Sequence, residues 1–593
     1  MGSLSGSARC WAAAVADLQS LDRPHETTAP PAWRAGLVRT GASAGWAKAG
    51  WWAVAAIIVI LVALPTIYIL SKAFGEGGYA FSKVRDIPGI GKSLVRTALL
   101  GVCSSVLALL LGLMLAWHVS RLSGRTKSIA AMIPVIPLLI PAPVLVIGWM
   151  FLLSPQVGYA NQLLRKLPLL SRLDSGPFDV YTMPWIILIT AMFLTPFVYF
   201  FVSSALESLG SDFKAAASSA GASPLRVFFT VVLPLLRPSL VYAFAIALVL
   251  GSGQFTAPLL LGRQQGIDVL TTEIFKLSDR YPVQYGLGGM LSLPLIVLGV
   301  AVVILQRRAI GDQRRYVVGR EVQHDASRAS RWHLAPVIGF ALLLLLPLLG
   351  LLHVAFSPFW SGELTFSSYT LDHFHTVLGD SAVIDSLVTS LVASLVAIAI
   401  IVPLTFMAAL AVAPGSKAGR LVRTVIDIGV NVPLGIPATV FGFGVLFAYS
   451  QRPFNLYGTV AIIVIVYTTI MLPFAMRLQL SVLQTQGLEY QEAAATSGAS
   501  RIRTLLTVVA PLARSGIVAA VVLTFVLLMH EFSASLLVMS PTTQVMGALL
   551  FRYYTAGTYP EVAVLSLLLV AVTVIGVGIA MAVGGRDVMK RIG

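Results

Sequence analysis

The chain has 593 residues, of which 57% are hydrophobic and only 11% charged, with a formal net charge of +16. A soluble chain clothes its domains in roughly 25% charged residues, and a disordered one is poor in apolar residues, so both classes are excluded. Two cysteines are too few for a disulfide scaffold, which leaves an integral membrane protein.

Residues 1–50 are rich in Arg, Pro and Ala and lead into a long apolar run with no small-residue cleavage site. They read as a cytosolic N-terminal tail. Twelve runs then approach or exceed the ~20 apolar residues that a bilayer core requires. They centre on 51–70, 98–118, 129–152, 183–205, 240–261, 286–306, 334–356, 384–413, 424–449, 458–477, 516–539 and 563–583. The third carries Pro141 and Pro143 and the ninth Pro433 and Pro437. Proline removes a backbone donor and bends a helix, so both runs are expected to break. The freed carbonyls are candidate hinge or path-lining groups; a plain packing kink is the other reading.

Basic residues set the orientation. With the N-terminus in the cytosol, cytosolic segments hold 28 of the 41 Lys and Arg and external segments 13, while acidic residues divide 12 and 12, with Glu531 inside a span. The excess charge therefore marks the cytosolic face of a plasma or inner membrane, not a nucleic-acid partner. Both termini are expected in the cytosol, the C-terminal tail being 586–593.

The chain repeats itself. Residues 210–237 (GSDFKAAASSAGASPLRVFFTVVLPLLR) match 487–514 (GLEYQEAAATSGASRIRTLLTVVAPLAR) at a constant offset of 277. Gly221, Arg226 and Pro234 fall on Gly498, Arg503 and Pro511, and the match extends to Phe255 and Phe532. Each copy holds six runs. An even number of crossings returns the chain to its starting side, so the halves are expected to be parallel, about an axis along the membrane normal. This predicts an all-α membrane protein with halves at 51–306 and 333–585, joined by a basic cytosolic linker at 307–332.

The repeated segments, in loops 207–238 and 484–515, fall on the cytosolic side between the fourth and fifth runs. Each reads as helix, glycine turn, second helix, and a proline that starts the next span. Such a unit, present once per half, suits docking onto two copies of a partner. Glu492-Ala493-Ala494, then Gly498 and Pro511, resembles the EAA loop of binding-protein-dependent ABC importer permeases. The resemblance implies a type I permease fold and a coupling helix seated on an ATPase subunit. The first loop has Ala215-Ala216 where the family has Glu-Ala, which implies asymmetric coupling.

The fused two-half form, with GQFTAPLLLG at 253–262 and EFSASLLVMSPTTQV at 531–545, resembles the iron(III) branch. The implied cargo is ferric iron; thiamine, polyamine and phosphonate permeases are the alternatives within the class. The implied partners are two ABC ATPases that carry ATP and Mg, an extracytoplasmic substrate-binding protein, and membrane lipid. The chain itself has no GxxxxGK[ST] phosphate loop, HExxH or CxxC, so no bound cofactor, metal site or enzymatic chemistry is expected of it. A twelve-span secondary transporter shares the gross layout but predicts no paired loop motif.

An ionisable residue inside a span is a functional candidate. Glu531, beside His530 and Phe532, takes the repeat position of Gln254, beside Phe255. Across the axis these are expected to form a polar girdle with a hard oxygen ligand suited to ferric iron. The alternative is a glutamate paired internally with His530 or with a Ser or Thr on a neighbouring helix, stabilising the bundle. Asp427 is expected to pair with Arg423, one turn before it.

Overall fold

Lipid offers no hydrogen-bond partner to a peptide group, so an apolar run crossing it closes its bonds internally as a helix. The computed structural model describes residues 41–75, 79–208, 221, 223–313, 331–364, 367–485 and 489–584, and no strand occurs among them. Residues 1–40 of the N-terminal tail, 314–330 of the linker, 585–593 at the C-terminus, and Ala215 and Ala216 lie outside the described residues.

In the first half, α1 (Ala49–Phe74) and α2 (Ile90–Ser120) are single spans. The third crossing is a pair, α3 (Gly124–Met132) and α4 (Ala142–Leu153), joined through a 3-10 turn and bent by 92°. Then follow α5 (Met183–Ser208), α6 (Leu233–Ser252), the short α7 (Leu270–Ser278) and α8 (Tyr285–Gln313). The second half repeats this order. It has α9 (Leu334–Phe356), α10 (Ser381–Val412), the pair α11 (Arg420–Asn431) and α12 (Ala438–Ser450), bent by 111°, and α13 (Val460–Thr485). The loop helix α14 (Glu489–Thr496) precedes α15 (Arg514–Met529), α16 (Met546–Ala556) and α17 (Tyr559–Gly584). Among the described residues, nine helices are long and apolar enough to span a membrane, and twelve crossings result when each bent pair is one.

The proline breaks fall where expected, with a changed register. Pro141 caps α4 at φ −55°, ψ 136°, and Pro437 caps α12 at φ −54°, ψ 145°, so these two are counterparts. Pro433 lies in the 3-10 turn before α12, as Pro137 does before α4. Pro143 sits in the first turn of α4, where its missing amide costs no helical bond. The offset here is 296 rather than 277, because the first half carries 19 more residues between its third and fourth crossings.

The halves interlock. Ala55, Ile58, Val62 and Ile69 of α1 are buried in one core with Val422, Phe441, Tyr467 and Leu536 of the second half. Reciprocally, Val337, Phe340, Leu344 and Leu351 of α9 are buried with Leu115, Ile147, Met192 and Val198 of the first. Two glycines permit this exchange. Gly148 of α4 lies against the Pro347 carbonyl of α9, and Gly444 of α12 against the Pro65 carbonyl of α1, and neither site has room for a Cβ. Lipid is as apolar as these side chains, so the exchange is held by close packing at such small residues rather than by removal of apolar surface from water.

Candidate coupling face and translocation path

The second loop is built from the chain upward. α14 ends in a Schellman turn: the Gly498 amide donates to the Ala495 carbonyl at 3.1 Å and the Ala499 amide to the Ala494 carbonyl at 3.0 Å. This needs a left-handed residue, and Gly498 has φ +77°. Ser500 then caps the next helix, its Oγ accepting from the Arg503 amide at 3.4 Å, and Thr507 Oγ1 donates to the Arg503 carbonyl at 2.7 Å.

The described part of the first loop reproduces the glycine conformation and the last two of these bonds. Gly221 has φ +78°, Ser223 Oγ accepts from the Arg226 amide at 3.4 Å, and Thr230 Oγ1 donates to the Arg226 carbonyl at 2.6 Å. A short π-helical stretch follows in each, Phe228–Val232 and Leu505–Val509, with the last residue buried. Pro234 and Pro511 then open the next helical turn, and in the second half the chain bends by 69° before α15.

Glu492, Ala493, Arg226 and Arg503 are exposed and Ala494 half-buried. Sequence reasoning missed the apolar part of this face. Phe229 and Leu506 are 60% and 64% exposed at equivalent positions, as are Leu235 and Leu512 at 40% and 42%. These apolar groups are open at repeated positions, where each loop runs into the fifth crossing of its half.

Beyond the fifth crossing of each half, the chain turns at Gln254 and at His530-Glu531. The carboxylate of Glu531 accepts from the Ala534 amide at 2.9 Å, the Ser535 amide at 2.8 Å and Ser535 Oγ at 2.6 Å. It therefore caps the short helix Ser535–Val538, the kind of bonding that an acidic N-cap makes. Ser535 Oγ also meets Tyr467 Oη at 3.0 Å. Gln254 likewise turns back on its own chain, its Oε1 accepting from the Phe255 amide at 3.0 Å. His530 Nε2 is buried with no hydrogen-bond partner among the described residues. Both polar side chains thus bond within their own turns.

What meets between the halves is aromatic. Phe255 and Phe532 lie 5.9 Å apart between ring centroids, and the contacts Phe255–Phe275 (5.5 Å), Phe275–Phe551 (6.1 Å) and Phe532–Phe551 (6.1 Å) close a ring of four. Phe255 and Phe532 are buried and the other two half-buried. Edge-on aromatic pairs contribute about 0.5–1.5 kcal/mol each beyond their area. Behind Phe275, Lys276 joins Asp268 at 2.6 Å and Glu273 at 3.5 Å. Behind Phe551, Tyr554 donates its hydroxyl to the Leu260 carbonyl of the other half at 2.6 Å.

At the loop end of the fourth crossing of the second half lies the residue on which the apolar run 458–477 ends. Arg477 is inside α13, eight residues before its end at Thr485. Its Nη1 donates to Tyr242 Oη of α6 at 3.1 Å and its Nη2 to Asn431 Oδ1 at 3.0 Å. Asn431 Nδ2 donates in turn to Asp427 Oδ1 at 3.1 Å, and Arg423 turns to the carbonyls of Ala418 and Ser416. Asp427 therefore bonds Asn431, while the guanidinium of Arg423 is taken up by main-chain carbonyls. Among the described residues no group of three or more His, Cys, Asp or Glu is placed to hold a metal ion.

The comparisons fit this layout. The profile of the family described as "Binding-protein-dependent transport system inner membrane component" matches residues 108–313 and again 401–585. The ferric transport system permease protein FbpB of Actinobacillus pleuropneumoniae is 24% identical over 528 residues, covering 85% of this chain and 73% of that protein. A protein of Haemophilus influenzae named for ferric transport, FbpB 1, is 24% identical over 517 residues, covering 82% and 77%. A Salmonella paratyphi A protein named for 2-aminoethylphosphonate transport, PhnV, is 28% identical over 217 residues, covering 36% of this chain and 72% of itself.

Proposed function

Because this chain belongs to the family of binding-protein-dependent transport system inner membrane components, matched once in each half, we propose that it forms the whole membrane path of an ATP-driven ferric iron importer. It is a multi-pass inner-membrane transport permease. The observation that carries the coupling reading is the pair of exposed loops repeated bond for bond, Gly221 to Thr230 and Gly498 to Thr507. A single such loop is an ordinary helical hairpin; two in register fit two copies of one partner.

In this reading the loop ends and both termini face the cytosol, as the basic residues require. Two ATPase subunits, which carry ATP and Mg, dock on the loops, and an extracytoplasmic binding protein delivers cargo at the opposite face. ATPase closure draws the two loops together and rocks the halves about their shared axis. The four-phenylalanine ring closes the outer end of the path and separates when the halves rock to open that end. Pro141 and Pro437, at the two sharpest bends, absorb the motion as hinges. Glu531 and Gln254 act through structure, by fixing the turns that place Phe532 and Phe255. Cargo release to the cytosol follows when ADP and phosphate leave.

Ferric iron is favoured because the relatives that span most of the chain are named for ferric transport. Phosphonate is the second reading, since the half-length relative is named for 2-aminoethylphosphonate. The test is ATPase activity of the assembled complex with its binding protein and ferric ion, thiamine, a polyamine or a phosphonate in parallel. Stimulation by ferric ion alone supports the proposal; stimulation by another of the four reassigns the cargo.

A further inference from the structure

The two halves are joined by polar contacts at opposite ends of the path, and the one at the loop end breaks the repeat. Arg477 occupies the repeat position of Phe200, and Tyr242 that of Ala519. The internal symmetry therefore supplies one Arg–Tyr contact, not two. Tyr242 is nine residues into α6, roughly 13 Å along the helix at 1.5 Å per residue. Arg477 is eight residues, roughly 12 Å, from the end of α13. Both are deep enough for their contact to close the loop end of the path.

The chemistry suits a reversible tie. The principal neighbours of α6 are α2, α5 and α8, all of its own half, so its link to α13 rests on this polar contact. A guanidinium presents five donors in a planar fork, and here two of them reach acceptors on two different elements, α6 of one half and the end of α11 of the other. Both acceptors are neutral, and among the described residues no carboxylate lies within ion-pair distance of Arg477. A charged donor on neutral acceptors holds more firmly than a neutral pair, without the desolvation barrier of a buried ion pair. Arg477 is also exposed, so water can take over its donors when the contact parts. At the far end, the Tyr554 hydroxyl on the Leu260 carbonyl makes the corresponding tie.

We propose that Arg477 is a positioning residue of the transport cycle, tying the fifth crossing of the first half to the broken third crossing of the second and holding the loop end of the path closed. The tie parts when that end opens, while Tyr554–Leu260 holds the far end. This rests on the importer reading above and adds to it a residue that decides the resting balance between the two open states.

The test uses the full chain with its ATPase subunits and binding protein in lipid nanodiscs. Cys10 and Cys103 are replaced by Ser, and spin labels are placed on Val241→Cys and Ser481→Cys, exposed positions outside both docking loops. Pulsed dipolar spectroscopy then reports the separation of α6 and α13 at the loop end. Arg477→Gln and Tyr242→Phe are expected to raise the open-to-closed ratio about tenfold without nucleotide, and the double variant no further than Arg477→Gln alone. Arg477→Lys is expected to recover part of the closed population. Tyr554→Phe is expected to move the ratio the other way, which general loosening would not do. Unchanged ratios in Arg477→Gln and Tyr242→Phe, or a shift of the same sign in Tyr554→Phe, would overturn the proposal. A wild-type distance that ignores ATP and vanadate would instead overturn the importer reading.

Discussion

Phe255 and Phe532, 277 residues apart in the chain, meet between the two halves with ring centroids 5.9 Å apart. Each is the residue after a turn in its own half, and each leans on a second phenylalanine, Phe275 or Phe551, that completes the ring. The contact ties the sequence repeat to a physical closure between the halves.

Removing one member of that ring opens it. Phe255→Ala and Phe532→Ala are each expected to cost about 3–5 kcal/mol of stability, as large-to-small core changes do. Because the two rings share one contact, the double variant should cost less than the sum of the singles. Thermal unfolding of the purified chain measures both. The same variants should raise ATPase activity in the absence of binding protein, since the outer end no longer resists opening.

Glu531 separates a structural carboxylate from a cargo ligand. Its oxygens accept three hydrogen bonds from Ala534 and Ser535. Glu531→Gln keeps one acceptor and most of the turn, and should hold iron uptake within about threefold of wild type. Glu531→Ala loses the cap, at about 0.5–2 kcal/mol, and should reduce uptake at least tenfold. Equal loss in both variants would return the negative charge to the path.

The loop glycines offer a test of equivalence. Gly221 and Gly498 have left-handed φ of +78° and +77°, and a Cβ on either meets nothing within 4 Å. Alanine there is strained by the backbone alone, at about 1–2 kcal/mol. Gly221→Ala and Gly498→Ala should therefore weaken ATPase docking to similar extents in a pull-down with the purified subunit. Gly498→Pro should abolish transport while the protein still inserts. Glu492→Ala should loosen docking more than a change at Ala215, and equal effects would remove the asymmetry.

Outside the spans, Asp380 predicts a pH response. The Tyr553 hydroxyl and then the Ala382 amide, both donating to it, hold its carboxyl below the ordinary 3.8. A lowered carboxylate contributes stability that is complete above the ordinary value and is lost as pH falls through the lowered one. The stability difference between wild type and Tyr553→Phe should therefore be the same at about pH 7 and about pH 5, and shrink only below about pH 4. Thermal unfolding across that range checks it; a change between pH 7 and 5 would assign the response to another group.

The architecture was legible because lipid leaves little choice: a long apolar run becomes a helix, and proline breaks it where it stands. The local fold of the repeated loops was legible because Gly498, Ser500 and Thr507 act through bonds between near neighbours in sequence. The path was harder to read. For Glu531 the sequence shows a charge in a span, but not that the amides of Ala534 and Ser535 and the Ser535 hydroxyl donate to it. The tenth run was ended at Arg477 because a charge marks an end by composition, whereas α13 continues for two more turns. The exchange of first spans was not legible either, since it depends on Gly148 and Gly444 meeting carbonyls 199 and 379 residues away in the chain.

Uptake of radiolabelled ferric iron into proteoliposomes holding this chain, its two ATPase subunits and its binding protein tests the account most directly. The account predicts uptake that requires ATP inside the compartment facing the coupling loops, stops with vanadate, and fails when either loop glycine is replaced by proline. Iron uptake driven by an ion gradient with the ATPase subunits left out would contradict it.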